Sequence, residues 1–294
     1  MKILAVGIAT LDIVNYVDHF PAEDAEMRAM DRRCVRGGNA TNTLVVLSRL
    51  GHSGTWAGTL AADAESRVIQ QDLKNNRVDM GGVVRHEGGR TPVSSICVSQ
   101  ATGSRTIVHY RDLPEYTAAD FARLDLRAYD WVHFEGREPQ ETRQMLDRLG
   151  GLSRRPRCSV EVEKPREGIE SLFHGPDVML FSRAYAYVRG YDDARRFLRD
   201  QRRVSSARHL FCAWGEAGAY ALDESGEVIF APAWRPAEVV DTVAAGDVFN
   251  AAVIDGLGRG FTMQQTLRHA CRLAGESCAC EGLDGFISGG AEGV

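Results

Sequence analysis

The 294-residue chain holds no apolar run of the roughly 18–20 residues that a membrane-spanning helix requires. It has no basic excess either. Thirty-five Lys and Arg stand against 40 Asp and Glu, a net charge of −5, which argues against a nucleic-acid backbone as partner. No Gly-x-Gly-x-x-Gly follows the first apolar segment, so the phosphate turn of dinucleotide enzymes is missing. No internal repeat or low-complexity segment occurs. The seven cysteines (Cys34, Cys97, Cys158, Cys212, Cys271, Cys278 and Cys280) are odd in number and scattered. That suits reduced thiols in a cytoplasmic protein rather than a disulfide framework. Cys278-x-Cys280 lacks a second pair or a nearby His, so buried small residues are expected there rather than metal ligands. The eight histidines show no ligand spacing.

What is present is ordinary for a globular chain: 44% apolar and 26% charged residues, enough to bury a core without metal or disulfides. The length allows one large domain, or a large one with a small one. Residues 2–9 read as a buried strand rather than a signal peptide, because the apolar run is short and Asp12 follows it. From 55 onward strand and helix signals alternate. Strands are expected at 55–60, 83–86, 131–136, 158–162, 178–181 and 208–214, with a hairpin near 223–226. Helices are expected at 63–77, 139–150, 166–173, 192–203, 247–258 and 263–280, with a helix or turn at 118–128. Such alternation predicts an α/β fold, a mostly parallel sheet with helices on both faces. The glycine-rich tail after Gly285 is expected to fray.

Two regions depart from this pattern. Residues 13–36 read as two strands, roughly 13–19 and 26–35. Residues 91–99 and 104–111 read as two more, joined by a tight turn at Gly103-Ser104. Together they predict a small β-sheet lid, residues 13–36 and 91–111. The α/β domain then comprises 1–12, 37–90 and 112–294.

Chemistry concentrates in three places. Asp12 lies just past the first strand, where ligand groups gather in open α/β sheets; it could equally cap its own turn. Arg36-Gly37-Gly38-Asn39-Ala40-Thr41-Asn42 opens a helix running through Leu50. Its glycines let a ligand approach the backbone, and its amides both donate and accept, which suits sugar hydroxyls. Asn39 could instead cap the helix, or belong to the sequon Asn39-Ala40-Thr41. The third place is Val239-Val240-Asp241-Thr242-Val243-Ala244-Ala245-Gly246-Asp247. It reads as a strand end, then a bare run of small residues, then a helix start. The unpaired N–H groups and positive dipole of that start suit a phosphate. Asp247 beside them is a candidate general base, or an Asp that merely favours the dipole.

The Gly-Gly-Asn-x-x-Asn and Asp-Thr-x-Ala-Ala-Gly-Asp motifs, about 200 residues apart, resemble the two signatures of the ribokinase-like sugar kinases. The resemblance covers nearly the whole chain. His133-Phe134-Glu135-Gly136-Arg137, Ser159 through Glu167 and Cys212-Ala213-Trp214 narrow it to the family's ketohexokinase branch, the fructokinases that phosphorylate the 1-hydroxyl of fructose with ATP.

The resemblance implies residue roles. Asp247 would be the base, and the backbone of Ala244, Ala245 and Gly246 an anion hole; the family most often has Gly where Ala244 stands. Asp12, Gly38, Asn39 and Asn42 would bind sugar. Arg105 would reach the transferred phosphate. Glu135, at a strand end, could touch ligand or pair with Arg137. Nucleotide contacts would come from Arg183, Trp214, Gly215, Glu216, Gly218, Pro236 and Cys271. Trp214 could equally be packing and Arg105 a solvated side chain. ATP with Mg²⁺ is the implied cofactor, Glu163 the candidate metal contact, and K⁺ a further cation that no motif decides. Other readings keep the fold with a different sugar, a sugar acid or a nucleoside, or make the chain a non-catalytic sugar sensor. A small sheet with one apolar face needs a cover, which predicts a homodimer through the lid.

Overall fold

Strands apolar on both faces belong in the middle of a covered parallel sheet, and this chain has a run of them. The computed structural model describes residues 1–287. β1 (Lys2–Val6) leads directly to β2 (Thr10–Val17), and β3 (Asp31–Gly37) precedes α1 (Asn39–Arg49). β4 (Ser53–Ala57), β5 (Thr59–Ala61), α2 (Ala64–Asn75) and β6 (Val84–His86) follow. Then come β7 (Val93–Ser99), β8 (Arg105–Tyr110), α3 (Ala118–Phe121), β9 (Trp131–Glu135), α4 (Pro139–Gly150) and β10 (Arg157–Val162). β11 (Val178–Ser182), α5 (Arg183–Val188), α6 (Ala194–Val204) and β12 (His209–Ala213) lead to the hairpin of β13 (Ala219–Leu222) and β14 (Val228–Ala231). α7 (Ala245–Gly258) and α8 (Met263–Ser277) close the fold.

The main sheet runs β14-β13-β12-β11-β10-β9-β1-β4. It is parallel from β4 to β12, with β13 and β14 antiparallel at one edge. One apolar cluster joins it to α1, α2, α7 and α8, and a second to α3, α4, α5 and α6. Helices therefore cover both faces. α7 is buried from Asp247 to Leu257, wedged against α1 and α8. A four-stranded sheet, β3-β2-β7-β8, stands apart from the main one. Its outer strand β8 is exposed along its whole length.

Several boundaries differ from expectation. The first strand stops at Val6 instead of 9, because the chain turns at Gly7 into β2. The expected strand at 55–60 is two. The chain bends at Gly58, where a Cβ would lie 2.5 Å from the Gly7 carbonyl and from the Trp56 ring. β5 then pairs with β6 in a separate two-stranded sheet. The turn between β7 and β8 is longer than the expected Gly103-Ser104. Ser99 N–H donates to Ser104 at 3.0 Å and Gly103 N–H to Ser99 at 2.8 Å, so five residues make the connection.

Residues 239–241 form no strand. Val239 and Val240 are 61% and 52% exposed, and the Val240 and Asp241 N–H groups bond the Cys278 carbonyl beyond α8 instead of a sheet neighbour. The expected helix at 166–173 shrinks to a 3-10 turn, Ile169–Phe173, because Gly168 takes a left-handed φ of 76°. α5 was not expected; Ser182 caps it by accepting from Tyr185 N–H. The fraying expected after Gly285 falls, from residue 288 on, outside the described residues. Phe286 itself is buried.

Candidate active site

The carboxyl ends of β1, β9, β10, β11 and β12 open into one cleft of about 490 Å³, closed on the far side by the small sheet. Glycines bring the N-terminal motif there. Gly38, at φ 103°, is the N-cap of α1, and a Cβ on it would strike the Ile8 carbonyl at 2.3 Å. Only Gly fits, so α1 starts hard against the β1–β2 turn. Asn39 is the first helical residue rather than the cap. Asp12, on β2, lies over Gly37 and accepts a 2.8 Å hydrogen bond from Thr10.

The second motif meets the first across the α1–α7 contact. Ala244 caps α7, a helix 14 residues long, in the left-handed region at φ 64°; the Ala245 N–H bonds the Thr242 carbonyl at 3.4 Å and Gly246 is exposed to the cleft. Asp247 is 6% exposed. Asn42 Nδ2 donates to its Oδ2 at 2.7 Å, and Thr43 Oγ1 to its backbone carbonyl at 3.4 Å. Burial first, then Glu163 and Glu135, drive the Asp247 pKa up to about 8 against the Asn42 hydrogen bond and Arg36, which lower it. At neutral pH Asp247 therefore largely holds its own proton, and it can take one from a hydroxyl only in its ionised form.

Three more carboxylates share the cleft. Glu135 accepts the Ile8 N–H at 3.0 Å and the Ala40 N–H, and pairs with Arg137 at 3.4 Å. It fastens the β1–β2 turn to the start of α1. Asn39 Nδ2 donates to Glu161 Oε1 at 3.1 Å and Glu163 Oε2 at 3.3 Å. Glu161 is buried with Oε2 unpartnered, and its pKa is raised well above the carboxylate range by burial, then by Asp247, Glu135 and Glu163. Both Asn39 and Asn42, expected to serve sugar hydroxyls, thus hold carboxylates with their N–H ends. Among the described residues no three ligating side chains converge tightly enough to hold a metal by themselves.

Arg105 reaches from β8 across the cleft to Thr242 Oγ1 at 3.2 Å, tying the small sheet to the segment before α7. The residues expected to meet nucleotide lie beyond the β12 end of the cleft, and none of them lines it. Arg183 Nη1 approaches the Trp214 carbonyl at 3.4 Å and its guanidinium lies over Tyr187. Trp214 is 7% exposed and edge-on to Tyr187. Gly215 and Glu216 belong to a 3-10 turn ended by Gly218, which has φ 110° and where a Cβ would lie 2.2 Å from the Ala231 carbonyl oxygen. Pro236 is half-buried in the segment after β14. Cys271 is buried on α8 with Sγ 3.7 Å from the Ala231 carbonyl.

Sequence reasoning assigned no role to Arg36, Glu161 or Thr242. For Glu161 the signal existed: period-2 alternation puts it on the same strand face as Glu163 at the carboxyl end of β10. For Arg36 and Thr242 only the folded chain reveals the partner.

A family model described as pfkB family carbohydrate kinase matches residues 1–287. The ketohexokinase of Mus musculus is 40% identical over 294 aligned residues, covering 97% of this chain and 99% of the mouse protein. Fructokinase-1 of Zea mays is 27% identical, covering 74% of this chain and 72% of its own. Among solved structures, Arabidopsis thaliana ribokinase complexed with ribose and ATP superposes with a TM-score of 0.79 at 18% identity, over 96% of this chain and 93% of that one. Thermotoga maritima ribokinase gives 0.78 at 20%, over 98% and 95%. At those identities the structures speak for the fold.

Proposed function

This chain belongs to the pfkB family of carbohydrate kinases, and from that membership we propose that it is a ketohexokinase, passing the γ-phosphoryl group of ATP to the 1-hydroxyl of D-fructose. The carrying observation is Asp247: a buried carboxyl group inside the first turn of a long helix, held by Asn42 at 2.7 Å.

In this reading the γ-phosphate sits over the N–H groups of Ala244, Ala245 and Gly246, where the helix dipole favours negative charge. The sugar lies between Asp12, the Gly38-Asn39 backbone and Asp247. Asn42 occupies Asp247 Oδ2, so Oδ1 is the oxygen that meets the attacking hydroxyl and takes its proton. Charge on the transferring group is met by the helix-start N–H groups and Arg105; positioning and electrostatics supply most of the acceleration. The small sheet excludes water, which would otherwise compete for the phosphate. Trp214, Gly215, Glu216, Gly218, Pro236, Cys271 and Arg183 form the nucleotide side. Mg²⁺ arriving with ATP would neutralise phosphate charge. The donor set suits a cation that keeps its waters and meets one or two carboxylates, here Glu163 and the unpartnered Glu161 oxygen.

The small sheet, expected over 13–36 and 91–111 but beginning at Thr10 and including Gly37 because β2 and β3 pair that far, forms a lid that pairs with a second copy of the chain. The support is β8, an uncovered edge strand with Ile107, Val108 and Tyr110 51%, 68% and 54% exposed. The seven free thiols suit a reducing cytoplasm.

The test is ADP release from ATP-Mg²⁺ against fructose, other ketoses, ribose, sugar acids and adenosine, with and without K⁺, and the product's phosphate located by NMR. Fructose-dependent turnover to the 1-phosphate is expected. Turnover on another sugar alone removes the ketohexokinase assignment. Sugar binding without turnover on any removes the catalytic role.

A further inference from the structure

An Asn side chain can face a carboxylate with either end, and only its N–H end attracts. Asn42 meets Asp247 with Nδ2, and what fixes that choice lies behind it. Arg36 Nη1 donates to Asn42 Oδ1 at 2.6 Å. A guanidinium has five donors and no acceptor, so it can hold only the carbonyl end of the amide. The orientation of Asn42 therefore follows from Arg36. The arginine is itself fixed. Its side chain is 4% exposed, Nε meets Asp72 on α2 at 2.5 Å, and Nη1 meets Thr41 Oγ1 at 3.1 Å.

We propose that Arg36 is a positioning residue for phosphoryl transfer: anchored by Asp72, it orients Asn42, and Asn42 holds the Asp247 carboxylate toward the sugar hydroxyl. The inference rests on Asp247 being the base of the proposed kinase. It gives the arginine before Gly37-Gly38 a task that sugar contact does not require.

Charged groups reach Asp247 from several elements. Glu135 ends β9, Glu161 and Glu163 lie at the end of β10, and Asp12 of β2 and Arg105 of β8 line the same cleft. Arg36, with Asp72 behind it, enters from β3. Against the carboxylates Arg36 is the cation that favours the ionised form of Asp247. It also sits next to last in β3, so a strand of the small sheet bears directly on the base.

The experiment has a readout independent of turnover. Protein labelled with ¹³C at Asp carboxyls is titrated by NMR without substrate, the Asp247 signal being the one lost in Asp247→Asn. Arg36→Met should tighten proton binding at Asp247 about tenfold. In parallel, kcat should fall roughly tenfold to a hundredfold while the sugar KM changes less than about twofold. In an Asn42→Ala background the same Arg36→Met change should lower kcat no further. Arg36→Lys keeps the charge without the fork, so it should leave the titration near wild type and give an intermediate kcat. Should Arg36→Met fail to fold, wild-type kcat in Arg36→Lys overturns the proposal. So does an unmoved Asp247 titration in Arg36→Met, or an equal kcat loss with and without Asn42. If wild-type protein turns over no sugar, the kinase reading fails, and the titration still decides whether Arg36 acts on Asp247.

Discussion

Asn42 and Asp247 stand 205 positions apart in the chain and share a 2.7 Å hydrogen bond. That contact joins the starts of α1 and α7, and with them the two motifs. Asp247→Asn removes the proton acceptor and keeps the shape. Turnover should fall roughly 10²–10⁴-fold, measured as ADP release at saturating sugar and ATP. Near-normal turnover would remove Asp247 from the role of base.

The same substitution should raise stability, increasingly so at higher pH. The folded pKa of Asp247 is about 8 against an ordinary 3.8. Between those values the folded protein holds a proton that the unfolded chain has released. The stability this lends is therefore complete below about pH 4 and lost as pH rises through 8. Asn carries no such dependence. The melting temperature of Asp247→Asn minus that of wild type should grow between pH 5 and 8; a constant difference would contradict it.

Ala244 holds a left-handed φ of 64° that costs a non-glycine residue about 1–2 kcal/mol. Glycine removes that cost but adds about 0.4–1 kcal/mol of unfolded-state entropy. Ala244→Gly should thus be neutral or stabilising by up to about 1.5 kcal/mol in urea unfolding. Ala244→Val, β-branched at positive φ, should destabilise. Equal loss in both variants would mean that backbone strain does not govern this cap.

The β8 edge predicts a dimer by light scattering. Val108→Glu puts a charge on the most exposed apolar position of that strand and should shift the protein to monomer. A monomeric wild type, or a variant that dimerises unchanged, would remove the lid from the interface.

Asp255 is 1% exposed on α7 and accepts from His52 at 2.8 Å, His269 at 2.9 Å and Arg259 at 2.7 Å. Despite burial, those bonds hold its pKa far below the ordinary carboxylate value. Its stabilisation is present above about pH 4 and is lost as pH falls further. Asp255→Ala should cost about 3–5 kcal/mol at pH 7 and leave the acid side of the stability profile flatter. A cost below about 1 kcal/mol would show the network to be dispensable.

The parallel strands were legible because each is a short apolar run bounded by turn residues, as Trp131–Glu135 and Val178–Ser182 are. The helices of the two motifs were legible from Gly38 and from the small residues before Asp247. The segment at Val239–Val240 misled, since β-branched residues there face solvent and their backbone is satisfied by Cys278. α5 escaped notice because Arg183-Ala184-Tyr185-Ala186-Tyr187-Val188 carries no clear periodicity and owes its start to Ser182. In the site, residue types announced chemistry but not direction. Asn39 and Asn42 look alike as sugar ligands, yet both spend their N–H ends on carboxylates, a choice set by Glu161, Glu163 and Arg36 from other elements.

The order of the sheet has a consequence for how the protein comes off the ribosome. β1, the first strand made, finds β4 within about 50 residues, but its other neighbour, β9, begins only at residue 131. α1, buried from Ala40 to Leu47, has nothing to cover its α7-facing side until residue 258 has been added. Until then Asn42 has no carboxylate to hold. A chain elongated only as far as β14 therefore carries the Gly38–Asn42 motif without its counterpart, and the two motifs can meet only once α7 has been made.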